Sequence, residues 1–216
     1  MMRLLSLSLI IMCAGVCSAS QPPNILLIMA DDLGFSDLGC YGGEIDTPNL
    51  DRLAAGGLRF TQFYNTGRCW PTRASLLTGF YPHQVGRDEV PGVRSGGRGR
   101  RPAWAPLLSA TLAAEGYRCY HSGKWHLDGM PLGNGFHSSY YLKDQHRFFN
   151  PTISYRDDVQ LPAVKRESGF YGTTAIADHM LQMLQGHHEK YAAKPFFAYL
   201  AFTAPHFPLH APAEDI

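Results

Sequence analysis

A cysteine stands at the start of a predicted helix, and an arginine follows it four residues later. Within Gly67–Gly79 (GRCWPTRASLLTG), Pro71 predicts the first position of a helix and Gly79 predicts its end. Cys69 lies just ahead of this helix, where free N–H groups and the positive end of the helix dipole favour an anion. Arg73 lies about one helical turn away and can hold an anionic oxygen near position 69. The spacing therefore predicts an anion site around a thiol; the alternative is a buried structural thiol.

Two adjacent carboxylates, Asp31 and Asp32, follow the apolar run Asn24–Ala30 (NILLIMA), which predicts a buried strand. Neighbouring carboxylates repel each other unless a cation or a helix N-terminus lies between them. A hard divalent ion such as Ca²⁺, which takes about six to eight oxygen ligands, is the natural partner. The pair alone is weak evidence for a metal, because solvated carboxylates are common in loops.

Three basic side chains follow two other predicted strands. Lys124 and His126 lie in the segment GKWHL after a strand over Tyr117–His121, and His206 follows the apolar strand Pro195–Thr203 (PFFAYLAFT). In an extended segment, positions 124 and 126 point to the same side and can reach one ligand. Ligands of open α/β sheets gather at the carboxyl ends of the strands. We therefore expect these side chains to meet the two aspartates at one edge of the sheet.

Strands and helices alternate along the chain, which predicts an α/β sheet with helices on both faces. Pro195–Thr203 is apolar enough to be covered on both faces. Asp128–Gly169 lacks clear periodicity and predicts a long surface excursion. The other predicted elements are a strand at Leu58–Tyr64, helices at Thr47–Gly57, Pro71–Gly79 and Pro106–Glu115, and an amphipathic helix from Thr173 with Ile176, Met180, Met183 and Leu184 on one stripe.

The N-terminus predicts export. Arg3 is followed by the apolar stretch Leu4–Val16 and then by the small residues Cys17–Ser20. A positive start, an apolar run and a small-residue exit indicate a secretory signal peptide over residues 1–20. The alternative is a membrane anchor, but the run is shorter than the ~20 residues that span a bilayer. We therefore expect a periplasmic or secreted protein without stable membrane insertion.

Charge and cysteine content narrow the function. The chain has 19 basic and 18 acidic residues, so removal of Arg3 with the signal peptide leaves 18 of each. A neutral chain argues against a nucleic-acid partner. The Gly/Arg stretch Arg94–Arg101 (RSGGRGRR) is typical of a solvated loop, with contact to an anionic substrate as the alternative.

Cleavage of the signal peptide leaves Cys40, Cys69 and Cys119. An odd count of cysteines in an exported protein suggests a special role for one thiol; whether Cys40 and Cys119 pair stays open.

Several segments resemble the sulfatase family. Cys69–Arg73 (CWPTR) matches its Cys-x-Pro-x-Arg signature, and the following ASLLTG is similar to it too. The Asp31-Asp32 pair resembles the family's metal-binding pair, GKWHL its second signature, and APHFP around His206 its third stretch. The matches run in the family's order over Pro23–Pro212. The resemblance implies an alkaline phosphatase-like fold, a three-layer sandwich with a mostly parallel central sheet, incomplete at the C-terminus.

The resemblance also implies an activity. It implies a sulfuric ester hydrolase acting on a sulfated polysaccharide or an aryl sulfate, with Cys69 converted to Cα-formylglycine by a formylglycine-generating maturation enzyme. The hydrated aldehyde would attack sulfur while Ca²⁺, Lys124 and His206 neutralise the sulfate oxygens. The implied roles are catalytic for Cys69, Arg73 and His126, substrate-binding for Lys124 and His206, and metal-binding for Asp31, Asp32 and Cys69.

The chain departs from the family in one respect. The family's later Asp/Asn metal ligands, a further substrate-binding lysine and a smaller C-terminal domain have no counterpart before Ile216. We therefore expect residues 21–216 to form the N-terminal part of the catalytic domain, as a fragment or a truncated product, and not to be a competent sulfatase alone. Two other functions stay open. One is a phosphonate monoester or phosphodiester hydrolase of the same superfamily, and the other is an inactive secreted fragment that only binds sulfated ligands.

Overall fold

The computed structural model describes residues 21–88 and 100–216. The predicted signal peptide at residues 1–20 and most of the Gly/Arg stretch, residues 94–99, lie outside the described residues. The helices within the described ranges are Pro48–Ala55 (α1), Cys69–Thr78 (α2), Leu108–Ala114 (α3) and Gly172–Tyr191 (α4). The strands are Ile25–Met29 (β1), Arg118–Gly123 (β2), Ser138–Leu142 (β3), Ser154–Arg156 (β4), Val159–Gln160 (β5) and Phe196–Ala201 (β6).

The described strands form one mixed sheet in the order β1-β6-β2-β3-β4-β5. The pairs β1–β6, β6–β2 and β2–β3 are parallel, whereas β3–β4 and β4–β5 are antiparallel. In register, Tyr199 of β6 lies between Leu27 of β1 and His121 of β2. Because the four parallel strands run the same way, the segments that leave β1, β2 and β6 all emerge at one edge of the sheet.

Side chains of β6 alternate between two cores, one on each face of the sheet. Phe197 and Tyr199 pack on one face with Leu77 of α2. Leu200 packs on the other face with Ile176 of α4. This arrangement confirms the prediction of helices on both faces, and the strand predicted at 195–203 is buried on both sides as its unbroken apolar sequence requires.

Local sequence signals place several elements correctly. Thr47 is the residue before α1, Pro48 is in its first turn and Gly56 ends it. The predicted amphipathic helix begins at Gly172, and Ile176, Met180 and Met183 are buried in it. The strand predicted at 24–30 is β1, but it is not buried as predicted: β1 is at the edge of the described sheet, and Leu26 and Ile28 are 49% and 46% exposed.

The predicted strand at Leu58–Tyr64 is wrong. This segment has no strand pairing, and its apolar side chains face outward, with Leu58 90% and Phe63 74% exposed. Its backbone is instead tied to a turn around Cys40, because the Tyr41 hydroxyl donates to Phe60 O at 3.0 Å and Arg59 donates to Cys40 O at 2.5 Å. Strand propensity needs a sheet edge to pair with, and these side-chain bonds hold the segment as a loop.

The prediction of a surface excursion at 128–169 is also wrong, because this segment supplies β3, β4 and β5 to the sheet. The strands are only two to five residues long. Runs that short carry too few alternations for a period of two to be recognised. Their register comes from tertiary pairing, with Tyr141 of β3 opposite Tyr155 of β4.

Within residues 21–88 and 100–216, no helix is long and apolar enough to cross a membrane. The described cysteines, Cys40, Cys69 and Cys119, all carry free thiols. Cys119 is buried in β2 and its thiol donates to Ser109 O at 3.3 Å. Burial raises the pKa of Cys119 to about 11, so that this thiol is inert at neutral pH.

Candidate active site

A cavity of about 140 Å³ opens at the carboxyl end of β1, next to the start of α2. Its wall contains Asp31, Asp32, Cys69 and Arg73, together with Thr72, which the sequence analysis did not single out. The cavity thus brings the two aspartates to the start of α2. Of the three basic side chains expected to meet the aspartates at this sheet edge, Lys124 and His206 do so. Lys124, His126 and His206 do not line the cavity, but Lys124 and His206 reach its carboxylates.

Asp31 is the centre of a buried charge cluster. Its side chain is 5% exposed, and its two oxygens face Arg73 Nη2 at 3.4 Å and the Lys124 ammonium. Arg73 and Lys124 are each 1% exposed. One anion and two cations leave a net positive charge beside the cavity, in a region where water screens it poorly. This arrangement favours an anionic ligand.

Arg73 keeps donors free beside this cluster. Its Nη1 donates to Lys124 O at 3.1 Å and to the Tyr199 hydroxyl at 2.9 Å. Among residues 21–88 and 100–216, its buried Nε and Nη2 have no hydrogen-bond acceptor; Nη2 approaches Asp31 Oδ1 at 3.4 Å but without hydrogen-bond geometry. Buried donors without an acceptor are costly in free energy. The guanidinium is therefore prepared to hold a further anionic oxygen in the cavity that it lines.

Cys69 is the first residue of α2, and the helix begins two residues earlier than predicted, with Arg68 before it. Pro71 is consequently the third helical residue; proline is tolerated there because the N–H groups of the first turn have no partner within the helix. Position 69 still lies at the positive end of the helix, where the helix dipole favours an anion. The Cys69 side chain is partly buried.

His206 joins Cys69 and Asp31. The nearest potential ligand atoms of these three residues all lie within 4.8 Å of one another. His206 Nε2 also lies 3.6 Å from Asp32 Oδ2. The other ring nitrogen, Nδ1, lies 2.5 Å from Phe207 O, which can only accept, so Nδ1 carries the proton and Nε2 faces the carboxylates.

His126 is not part of the group formed by Asp31, Cys69 and His206. Its backbone has a φ of 55°, so the segment is not extended at this position, and the predicted same-side arrangement with Lys124 does not hold. The ring packs edge-on to Trp70, with 5.3 Å between centroids. Burial, followed by the positive charges of Lys124 and Arg73, lowers the pKa of His126 to about 4. The imidazole is neutral at pH 7, and its Nδ1 is buried without a hydrogen-bond partner in the part of the chain that the structure describes.

The donor set fits a divalent cation in part. Asp31 and Asp32 offer carboxylate oxygens, which suit Ca²⁺, whereas the cluster around Asp31 also contains a thiol and an imidazole. Asp32 is 56% exposed, has a φ of 66° and lies in the cavity wall. Two carboxylates are fewer than the about six oxygens that Ca²⁺ takes. Further ligands are needed for tight binding.

Two buried residues behind the site were missed in the sequence, Tyr199 of β6 and His121 of β2. His121 is 0% exposed. Its Nε2 lies 3.4 Å from Lys124 O, and its ring lies among Trp125, Phe136, Tyr141 and Tyr199. The position of His121 inside a predicted buried strand was the available signal.

Burial of His121 predicts a pH-dependent stability. Burial lowers the pKa of His121 to about 3, well below the ordinary value of about 6.5. Between these values the unfolded chain binds a proton that the folded chain does not, so stability is lost as the pH falls. The His121→Gln variant should flatten the dependence of the unfolding free energy on pH, by up to about 1.4 kcal/mol per pH unit.

Urea denaturation at several pH values between about 7 and 4 tests this prediction. The matched control is His188→Gln, because His188 is exposed on α4. Equal pH slopes for the wild type and His121→Gln would contradict it.

Solved structures with related sequences share this fold. The crystal structure of Ps i-CgsB in complex with k-i-k-neocarrahexaose is 31% identical, with a TM-score of 0.75 over 90% of this chain and 48% of that one. The structure of BT4656 in complex with its substrate D-glucosamine-2-N,6-O-disulfate is 30% identical, with a TM-score of 0.69 over 86% of this chain and 35% of that one. The three-layer α/β architecture with a mostly parallel sheet is that of the alkaline phosphatase-like superfamily.

Sequence relatives agree with the structural ones. The chain is 48% identical to human arylsulfatase A over 139 residues, which are 60% of this chain and 27% of that protein. Each of these three matches covers less than half of the related protein. The family model described as sulfatase matches residues 23–215. The chain belongs to the sulfatase family.

Proposed function

We propose that the full-length protein hydrolyses sulfate esters, with Cys69 as the precursor of its nucleophile. The observation that carries the proposal concerns Arg73, which lies in the same cavity wall as Cys69. Its Nε and Nη2 donors are buried and have no hydrogen-bond acceptor among the described residues. The net positive cluster of Asp31, Arg73 and Lys124 supports an anionic substrate at this point. Membership of the sulfatase family supports sulfate as that anion.

Cys69 and Arg73 act together in this proposal. A formylglycine made from Cys69 by a maturation enzyme would supply, when hydrated, the hydroxyl group that attacks sulfur. The new bond would replace the bond from sulfur to the ester oxygen, and the alcohol would leave with the proton that the attacking hydroxyl loses. Arg73 Nε and Nη2 would donate to the oxygens at position 69 and hold them in one orientation. The start of α2 adds the positive end of the helix dipole, which stabilises negative charge at this position.

Asp31 and Asp32 would hold Ca²⁺, with further ligands supplied by other parts of the full-length protein. The ion supplies charge neutralisation of the sulfate oxygens. The Lys124 ammonium contacts Asp31 and would also neutralise charge on the sulfate oxygens. His206 Nε2, within reach of both carboxylates, would contact the substrate on the same side.

His126 is proposed to take the proton of the second hydroxyl at position 69, so that the sulfated hydrate collapses, sulfate leaves and the aldehyde is restored. Its imidazole is neutral at pH 7, since its pKa is lowered to about 4 by burial and by two nearby cations. A bound sulfate would offset those cations and thereby raise this pKa toward the range where the ring accepts a proton well. The Nδ1 atom, buried without a partner, is available for that proton.

The substrate class is proposed from the structural neighbours. One of them was solved with D-glucosamine-2-N,6-O-disulfate as its substrate. We therefore propose a sulfated saccharide as the natural substrate, with an aryl sulfate as a convenient assay substrate. The signal peptide at residues 1–20, the mature domain from residue 21 and the periplasmic or secreted location are part of the same proposal.

The main alternative is a phosphonate monoester or phosphodiester hydrolase, because tetrahedral phosphorus anions present similar oxygens. We would express the full-length protein with a formylglycine-generating enzyme and compare para-nitrophenyl sulfate with bis-para-nitrophenyl phosphate. A higher kcat/KM on the sulfate is expected. A higher value on the phosphodiester would favour the alternative, and binding of a sulfated glycan without turnover of either would favour the inactive binder.

Lys124→Ala should lower kcat/KM on the aryl sulfate by about 100-fold, because it removes one buried positive charge beside the proposed sulfate site. Its effect on Ca²⁺ affinity should be small, since a protonated ammonium cannot ligate the ion and its loss frees an oxygen of Asp31. Steady-state kinetics and calorimetric titration with Ca²⁺ measure the two effects. Lys143→Ala, at an exposed lysine, is the control. Loss of Ca²⁺ affinity with intact turnover would contradict this assignment.

A further inference from the structure

We propose that Tyr199 is a positioning residue, whose hydroxyl holds the guanidinium of Arg73 in its working orientation. The proposal rests on the proposed function, in which Arg73 directs donors toward position 69. Tyr199 belongs to β6 and is 0% exposed, so it touches neither cavity nor solvent. It would act on the reaction only through Arg73.

The contacts of Arg73 show why a positioning group is needed. The side chain is long and flexible, and it ends between a carboxylate, a backbone carbonyl and a phenol. Nη1 has two acceptors, Lys124 O at 3.1 Å and the Tyr199 hydroxyl at 2.9 Å. These two bonds fix the plane of the guanidinium, and that plane directs Nε and Nη2.

Tyr199 is itself held on both sides. Its hydroxyl donates to Met29 Sδ at 3.3 Å, so its oxygen lone pairs are left for Arg73. Burial raises the pKa of Tyr199, which keeps the phenol protonated and able to serve both partners. The ring lies against His121, with 5.7 Å between centroids, and His121 in turn reaches Lys124 O. Central strands of the sheet thus form a rigid support beneath the site.

Loss of the hydroxyl would change the direction of Arg73. With Nη1 bonded only to Lys124 O, the guanidinium is free to turn and pair more closely with Asp31, whose Oδ1 is already 3.4 Å from Nη2. A closer pair with two parallel bonds is the preferred geometry of arginine and a carboxylate. The donors would then be used on Asp31 and withdrawn from position 69.

The test is Tyr199→Phe in the full-length, matured protein, with kcat and KM measured on para-nitrophenyl sulfate. We expect kcat to fall about tenfold, a change of about 1.4 kcal/mol in the barrier, with KM within about twofold. Tyr140→Phe is the matched control, because Tyr140 is also a buried strand tyrosine, at 2% exposure, and packs on the other face of the sheet. It should lose comparable stability while its kcat stays unchanged.

A structure of Tyr199→Phe supplies a readout that does not depend on turnover. Displacement of the Arg73 guanidinium from its wild-type position supports the proposal. Unchanged kcat in Tyr199→Phe while the wild type turns over sulfate would overturn the role of Tyr199 and leave the proposed function standing. Absence of turnover in the wild type would count against the proposed function. The structure of Tyr199→Phe would then test the role of Tyr199, and an Arg73 guanidinium in its wild-type position would overturn that role.

Discussion

Replacement of Cys69 by alanine is expected to lower sulfate ester turnover by at least about 1,000-fold, as removal of a nucleophile does in other covalent enzymes. The fold should survive, because Cys69 is a partly buried residue at the start of α2 and belongs to none of the packed cores. Steady-state kinetics of the full-length protein and thermal unfolding measure both effects. Cys40→Ala, at another partly buried free cysteine, is the matched control and should retain activity.

Mass spectrometry tests the same residue directly. A peptide that spans Cys69 from protein made with a maturation enzyme should show the mass loss expected when a thiol becomes an aldehyde. Peptides that contain Cys40 and Cys119 should show no such loss, since neither lies in a Cys-x-Pro-x-Arg segment. An active preparation in which position 69 carries only unmodified cysteine would rule out the proposed nucleophile.

Asp31→Asn is expected to have the second largest effect, on Ca²⁺ binding and on stability together. The carboxylate is 5% exposed and faces two buried cations, Arg73 and Lys124. Removing its charge leaves both cations without a counter-ion, and breaking a buried ion pair in this way costs about 3–5 kcal/mol. The variant also loses a ligand that the proposed Ca²⁺ site needs, so activity of the full-length protein should disappear.

Urea denaturation and calorimetric titration with Ca²⁺ measure these effects. Asp144→Asn is a matched control, because Asp144 is a largely buried carboxylate that accepts from Thr152 and lies outside the cavity wall. It should reduce stability less and leave Ca²⁺ affinity unchanged. Equal Ca²⁺ affinity in Asp31→Asn and the wild type would remove Asp31 from the metal site.

Local sequence predicted those elements whose signals lie within a few residues of one another. Pro48 and Gly56 mark the two ends of α1, because a proline in the first turn and a glycine after the last turn act on the neighbouring backbone. The apolar sequence of β6 predicted burial on both faces, and its side chains do alternate between the two cores. The site motifs around Asp31, Cys69 and Lys124 could be named in advance for the same reason, as each is a short continuous segment.

The structural features that the sequence did not predict depend on contacts between residues that are distant along the chain. Leu58–Tyr64 has the composition of a strand, yet it is a loop, because strand pairing is decided by the edge that is available. The short strands β3–β5 exist through pairing with β2 and with one another. The contact of Tyr199 with Arg73 joins residues that are 126 positions apart. Only the folded sheet brings that hydroxyl beneath the guanidinium, because hydrogen bonds of this kind have no local signature.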